Sequence, residues 1–377
     1  MAKIIPLSVP NLTGNERKYM NDAVEAQWVS TGGNYITNFE KSVAEFINVP
    51  NAVACQSGTA ALHLALICAG IKAGEEVIVP TLTFIAAVNP VKYIHAEPVF
   101  MDCDDTLCLD INKLEKFFES ECELTSNGLI NLATGRKIAA VLIVHVFGNL
   151  ADMDKLVNLQ EKYPVRIIED ATEALGSRFS EGKFRGKYAG TIGDFGAFSF
   201  NGNKIITTGG GGMLVAKNEE ELAHARYLST QAKDDTLRFI HKEIGYNYRM
   251  TNVQAALGVG QMENLRSFLN VKRNNYNYYI SKGITLHPFR EDIEANYWFY
   301  SYLTDQRDGL IDYLAKHQIQ ARPIWTLIHT LPPYQYSQSF EIEKASYYWS
   351  RVVNLPCSTS LTKEEIDIVA DAIKSFK

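Results

Sequence analysis

Along the first two thirds of the chain, short, nearly unbroken apolar runs alternate with segments of helical periodicity. Ala139-Ala-Val-Leu-Ile-Val144 has no polar position at all, which suits a strand buried on both faces better than one with a wet side. The stretches "NAVACQSG" (51–58), "EEVIVP" (75–80), "EPVFMD" (97–102) and "VRIIED" (165–170) repeat that texture. Between them, "TAALHLALICAG" (59–70) sets Leu62, Ala65, Leu66 and Ala69 at helical spacing, and "TLTFIAAVNPVKY" (81–93) follows the second run. Strand-like runs separated by helical ones predict an α/β fold around a mainly parallel mixed sheet.

The texture then changes. "MLVA" (213–216) reads as one more short strand and "NEEELAHARYLS" (218–229) as a polar helix. From about Thr251 the pattern is that of a second unit: a helix "NVQAALGVGQMENLRSFL" (252–269), a strand-like "ANYWFYSYLT" (295–304) and a helical ending "TKEEIDIVADAIKSF" (362–376). The expected organisation is a large domain over 1–250 and a smaller C-terminal α+β domain over 251–377.

Composition narrows the function classes. Of 377 residues, 46% are hydrophobic and 21% charged, enough apolar material for a sizeable core. A net charge of −6 without basic blocks argues against nucleic acid as a partner. "MAKIIPLSVPNLTG" lacks the apolar segment of a signal peptide and no run reaches membrane-spanning length, so a cytoplasmic protein is expected. Six scattered cysteines read as reduced and structural. Cys103 and Cys108 find no second Cys or His pair to complete a zinc pattern, and no metal is expected.

The chemistry concentrates in "FSFNGNKIITTGGGGM" (198–213), where Lys204 stands between an aromatic run and four glycines. A phosphate-binding P-loop would need Gly-Lys followed by Ser or Thr, but Ile205 follows Lys204. The dinucleotide fingerprint fails too, since Leu214 stands where its third glycine belongs. A covalent lysine that forms a Schiff base with pyridoxal phosphate needs companions. One is a carboxylate beside the pyridine nitrogen, for which Asp170 at the end of "VRIIED" is the candidate. Another is a phosphate site, for which "QSGTAA", passing from strand to helix through Ser57, Gly58, Thr59 and Ala60, supplies amides and a helix dipole. Ser199 adds a hydroxyl and Phe84 an aromatic face. Each alone is also an ordinary cap, turn or core residue; the set is what points to the cofactor.

The chain resembles, from end to end, the fold-type I, pyridoxal phosphate-dependent sugar aminotransferases of the DegT/DnrJ/StrS type, which are aspartate aminotransferase-like. The blocks that carry the resemblance are "STGGNYITNFEKSVAEF", "SGTAALHLAL", "EVIVPTLTFIAAVNPV", "IIEDATEALGS", "GDFGAFSFNGNKIITTGGGG", "GYNYRMTNVQAALG" and "RPIWTLIHTLPPY". The resemblance implies that Lys204 bonds the cofactor, Asp170 faces the ring nitrogen and Glu173 lies beside the ring, where relatives often carry glutamine. It implies that Phe84 stacks on the ring, that Gly58, Thr59, Ala60 and Ser199 hold the phosphate, and that the enzyme is a homodimer. Asn247 of "GYNYR", with Arg249, would then reach the partner subunit's phosphate. Relatives with histidine in place of the lysine are dehydratases, so Lys204 implies amino transfer, from glutamate to a nucleotide-linked keto sugar.

For the sugar nucleotide, "WVSTGG" offers Trp28 and Thr31, and "ARPIWTLIHTLPPY" offers Arg322, Trp325 and His329. The "RPIWTLIH" block resembles members that act on UDP-linked 4-keto-6-deoxy-N-acetylhexosamines in bacillosamine or legionaminic acid pathways. Perosamine synthases, acting on GDP-4-keto-6-deoxymannose, share "NKIITTG" and "YNYRMTN" and are the alternative. A non-catalytic, cofactor-binding regulator is the rival from another class.

Overall fold

The computed structural model describes residues 4–376. Its centre is a ten-stranded sheet that runs Val53–Cys55, Gly212–Ala216, Phe195–Ser199, Arg166–Asp170, Lys137–Val144, Glu76–Pro80, Glu97–Met101 and Ser339–Phe340, with the hairpin Cys122–Thr125/Gly128–Asn131 joined beside Lys137–Val144. The pairings from Phe195–Ser199 across to Ser339–Phe340 are parallel, whereas Gly212–Ala216 runs antiparallel to both its neighbours. This is the mainly parallel mixed sheet that the apolar runs imply. Lys137–Val144 is buried at every position after its first, so both its faces are covered.

The helix Gly58–Cys68 packs on Phe195–Ser199 and Gly212–Ala216. It is buried almost all round, as expected of a helix with alanine and leucine on every face rather than one apolar stripe. Ser57 caps it: its hydroxyl accepts from the Ala60 amide at 3.0 Å. The stretch 81–93 forms two shorter pieces, a 3₁₀ turn Ile85–Ala87 and a helix Asn89–Tyr93, because Pro90 can be accommodated only in a first turn.

Further along, Thr251 and Gln254 form a capping box that opens a 30-residue helix, Asn252–Ser281. It outruns the expected 252–269 because Lys272, Tyr276 and Tyr279 bury their side chains although their neighbours are polar. Conversely, "ANYWFYSYLT" is strand only at Tyr300–Leu303; the left-handed backbone of Tyr297 (φ 54°) breaks any earlier extension. Tyr300–Leu303, Val352–Leu355 and Arg322–Pro323 make a small antiparallel sheet covered by the helix Arg307–Lys316, and the capped helix Lys363–Ser375 packs on that helix and on Asn252–Ser281. Ser339–Phe340 crosses back to the large sheet. Among the described residues no helix is long and apolar enough to cross a membrane.

Candidate active site

At the carboxyl ends of the central strands lies a cavity of about 350 Å³. Asp170 closes the strand Arg166–Asp170 and is held in register by Val144 on one side and Ala197 on the other. Its Oδ1 accepts from the Thr172 amide at 2.9 Å. Burial pushes its carboxyl up from the ordinary value, and the Thr172 bonds and the charges of Lys204 and His145 oppose that. A positive charge placed beside it would hold it ionised.

Lys204 comes to the same cavity on a turn that follows the strand Phe195–Ser199. Its amide donates to the Asn201 carbonyl at 3.0 Å, and the Thr208 amide ties the loop back to the Phe200 carbonyl at 2.9 Å. The lysine Nζ lies 4.0 Å from the centroid of the Trp298 ring. Burial lowers its pKa, against the pull of Glu173 and Asp170. Glu173 is buried as well, and its Oε2 accepts from the Phe147 amide at 2.8 Å. Burial, the largest effect, pushes it up to about 7, despite Lys204 and the Phe147 bond.

Two glycines make the cradle. A Cβ on Gly58 would stand 2.9 Å from Thr172 Cγ2 and 3.0 Å from Ser199 Cβ, so only glycine lets this helix start sit against both. A Cβ on Gly212 would stand 2.4 Å from the carbonyl carbon of Ser57. Within the four-glycine run it is Gly212 that serves close backbone approach, while Gly210 and Gly211 line the cavity.

These features fit pyridoxal phosphate. The first-turn amides of Gly58 and Thr59 have no acceptor within their own helix, and both residues line the cavity with Ser199. Thr83 Oγ1, also on the wall, is buried with no hydrogen-bond partner among the described residues, as expected of a site built for a polar ligand. No cluster of metal-ligating side chains occurs among the described residues.

Of the residues singled out in the sequence, the cavity gathers Gly58, Thr59, Phe84, Asp170, Glu173, Ser199 and Lys204. Ala60 is not on the wall, and its amide is already taken by Ser57. Phe84 is half exposed, its ring 6.5 Å from that of Trp325, which also lines the cavity. Trp28, Thr31, Arg322 and Asn247 are exposed and stand off this wall. His329 is bound to Thr81, Nδ1 to Oγ1 at 2.6 Å, and does not line the cavity either. Arg249 is engaged with the buried Glu40 carboxylate, while Asn247 is exposed. Thr83 and Trp298 were not singled out. Trp298 sits in a run of aromatics where nothing local sets it apart.

The sequence profile of the DegT/DnrJ/EryC1/StrS aminotransferase family matches residues 10–374. A GDP-perosamine synthase of Escherichia coli O157:H7 is 37% identical over 381 residues, covering 99% of each chain. A UDP-4-amino-4,6-dideoxy-N-acetyl-beta-L-altrosamine transaminase of Campylobacter jejuni is 28% identical, covering 92% of this chain and 91% of the relative. Among solved structures, a putative sugar aminotransferase of Streptococcus pneumoniae in its PLP form superposes with a TM-score of 0.87 at 25% identity, covering 99% of this chain and 98% of that one.

Proposed function

The chain belongs to the DegT/DnrJ/EryC1/StrS aminotransferase family, and from that membership we propose that it moves an amino group from glutamate to the 4-keto carbon of GDP-4-keto-6-deoxymannose, giving GDP-perosamine. It is a sugar aminotransferase of fold-type I, and its cofactor is pyridoxal 5′-phosphate. What carries the choice of acceptor is that the chain is nearer in sequence to a GDP-perosamine synthase than to a UDP-aminosugar transaminase. The UDP-linked N-acetyl sugar suggested by "RPIWTLIH" becomes the second reading, favoured by the match to that transaminase along nine tenths of the chain.

When bound, the cofactor supplies an electron sink and a carrier for the amino group. The protein's own groups do the rest. Lys204 Nζ takes and returns a proton at the reacting carbon, and burial, which lowers its pKa against the pull of Glu173 and Asp170, favours the neutral amine that takes it. Asp170 holds the proton at the ring nitrogen by opposite charge. The amides of Gly58 and Thr59 with the Ser199 hydroxyl hold the phosphate, while Phe84, Trp298 and Trp325 keep water from the cavity.

The same proposal takes the working unit to be a homodimer. Leu237, Phe239 and Ile244 are 78%, 71% and 88% exposed, just before Asn247, an apolar patch suited to burial against a second copy. Asn247 would then complete the partner subunit's phosphate site. A division near residue 250, a cytoplasmic location, and contacts from Trp28, Thr31, Arg322 and His329 to the sugar nucleotide belong to the proposal as well. Mass spectrometry of products from GDP-4-keto-6-deoxymannose and UDP-4-keto-6-deoxy-N-acetylglucosamine, offered at equal concentration with glutamate, tests it. A clear preference for the UDP sugar overturns the first reading and leaves the second.

A further inference from the structure

We propose that Trp298 is the positioning residue for Lys204: its indole N–H holds the lysine's turn while its ring face holds the lysine's ammonium form. The inference rests on the reading of Lys204 as the covalent lysine. Trp298 is 3% exposed. Its Nε1 donates to the Asn203 carbonyl at 2.7 Å, one residue before the lysine, and its ring centroid lies 4.0 Å from Lys204 Nζ. No hydrogen bond or ion pair joins that Nζ to another described residue, so the aromatic face is its nearest electrostatic partner.

Trp298 is itself held from behind. Lys272, buried in the helix Asn252–Ser281, donates from Nζ to the Trp298 carbonyl at 2.6 Å and to the Cys357 carbonyl at 2.6 Å. The Trp298 amide donates to Asn296 Oδ1 at 3.0 Å. Lys272, Cys357, Trp298 and Lys204 surround one small cavity behind the site. The charges that bear on Lys204 are Glu173 and Asp170 in front, while Lys272 and Cys357 line the small cavity behind it. The carboxylates favour its protonated form. Burial holds the Cys357 thiol neutral, pushing it up from its ordinary value. The Trp298 face offsets the cost of burying the ammonium form at the place where the lysine carries the proton it has taken.

The test uses the full-length chain freed of cofactor and an amine-reactive acylating reagent, with Lys204 labelling followed by peptide mass spectrometry across pH. In W298L the labelling midpoint should fall by about one pH unit, and in W298F by less, because phenylalanine keeps a weaker face. Hydrogen exchange of the 201–208 peptide should quicken several-fold in both, since both lose the indole N–H. Circular dichroism identifies folded samples, and W298F decides the matter if W298L does not fold. A folded variant with the parent midpoint and the parent exchange rate overturns the proposal. Borohydride reduction of the cofactor-loaded parent, with mapping of the modified lysine, tests the underlying reading separately. A label on another lysine defeats that reading without touching the contact between Trp298 and Lys204.

Discussion

The side-chain amide of Asn296 donates to the main-chain carbonyl of Glu173 at 2.8 Å. The same Nδ2 donates to the Leu175 carbonyl at 3.0 Å, and Oδ1 accepts from the Trp298 amide at 3.0 Å. One buried side chain thus ties the turn that carries Glu173 to the residue that faces Lys204. Asn296→Ala strands two carbonyls and an N–H away from water and should cost about 2–4 kcal/mol in urea unfolding. Stability equal to the parent would mean that water or neighbouring groups replace these bonds.

Lys204→Ala should lower turnover by on the order of 10⁴-fold or more. Cofactor binding should persist, because the phosphate cradle of Gly58, Thr59 and Ser199 is untouched. Equilibrium dialysis with pyridoxal phosphate, beside a steady-state assay, separates the two effects. Turnover near that of the parent would remove Lys204 from the chemistry.

Asp170→Ala should cost on the order of 10²–10³-fold in kcat, because no negative charge then holds the ring-nitrogen proton. Glu173→Gln should cost less than about 10-fold, since an amide still accepts from the Phe147 N–H seen at 2.8 Å. Equal losses would show that the two carboxylates have been given the wrong roles.

Because burial raises Glu173 from 4.5 to about 7, the folded protein keeps this proton across a range where the unfolded chain has lost it. Its contribution to stability is therefore complete below about pH 4.5 and is lost as the pH rises through about 7. Measured without cofactor, Glu173→Gln should gain stability relative to the parent over that interval. Urea midpoints at half-unit pH steps provide the check, and two parallel curves would place the shift elsewhere.

If the exposed apolar patch meets a second subunit, Phe239→Glu combined with Ile244→Glu should shift the protein toward monomer in sedimentation and lower activity with it. Asn247→Ala should instead leave the dimer intact and raise the pyridoxal phosphate Kd by about 10-fold. An active double-glutamate monomer would refute a shared site.

The parts of this site visible in the sequence were those whose residue types make sense together. A lysine beside four glycines, an aspartate ending a buried strand and a Ser-Gly-Thr helix entry are each ordinary alone and telling as a set, and Lys204, Asp170, Gly58 and Thr59 do meet. Trp298, Thr83 and Asn296 do not mark themselves, because a buried aromatic, hydroxyl or amide gains meaning only from what lies across the gap. Ala60 shows the converse: its residue type fits a phosphate loop, but the Ser57 cap had first claim on its amide. The far half of the helix Asn252–Ser281 escaped for a related reason. Its "NVKRNNYNYY" segment is polar by residue type, yet tyrosine bodies and a lysine stem can bury while their tips find carbonyls.

The large sheet takes its outer members from distant parts of the chain. Val53–Cys55 pairs with Gly212–Ala216 on one side and, through a single bridge at Cys55, with Arg249 on the other, and Glu97–Met101 receives Ser339–Phe340. Neither rim can be closed by a nascent chain until the ribosome has made the later segment, and loop closure over such separations is slow. Until then the apolar runs at 53–55 and 97–101 present open backbone edges. Newly made protein should therefore depend on chaperones, or on slow synthesis, for far longer than its individual helices take to form.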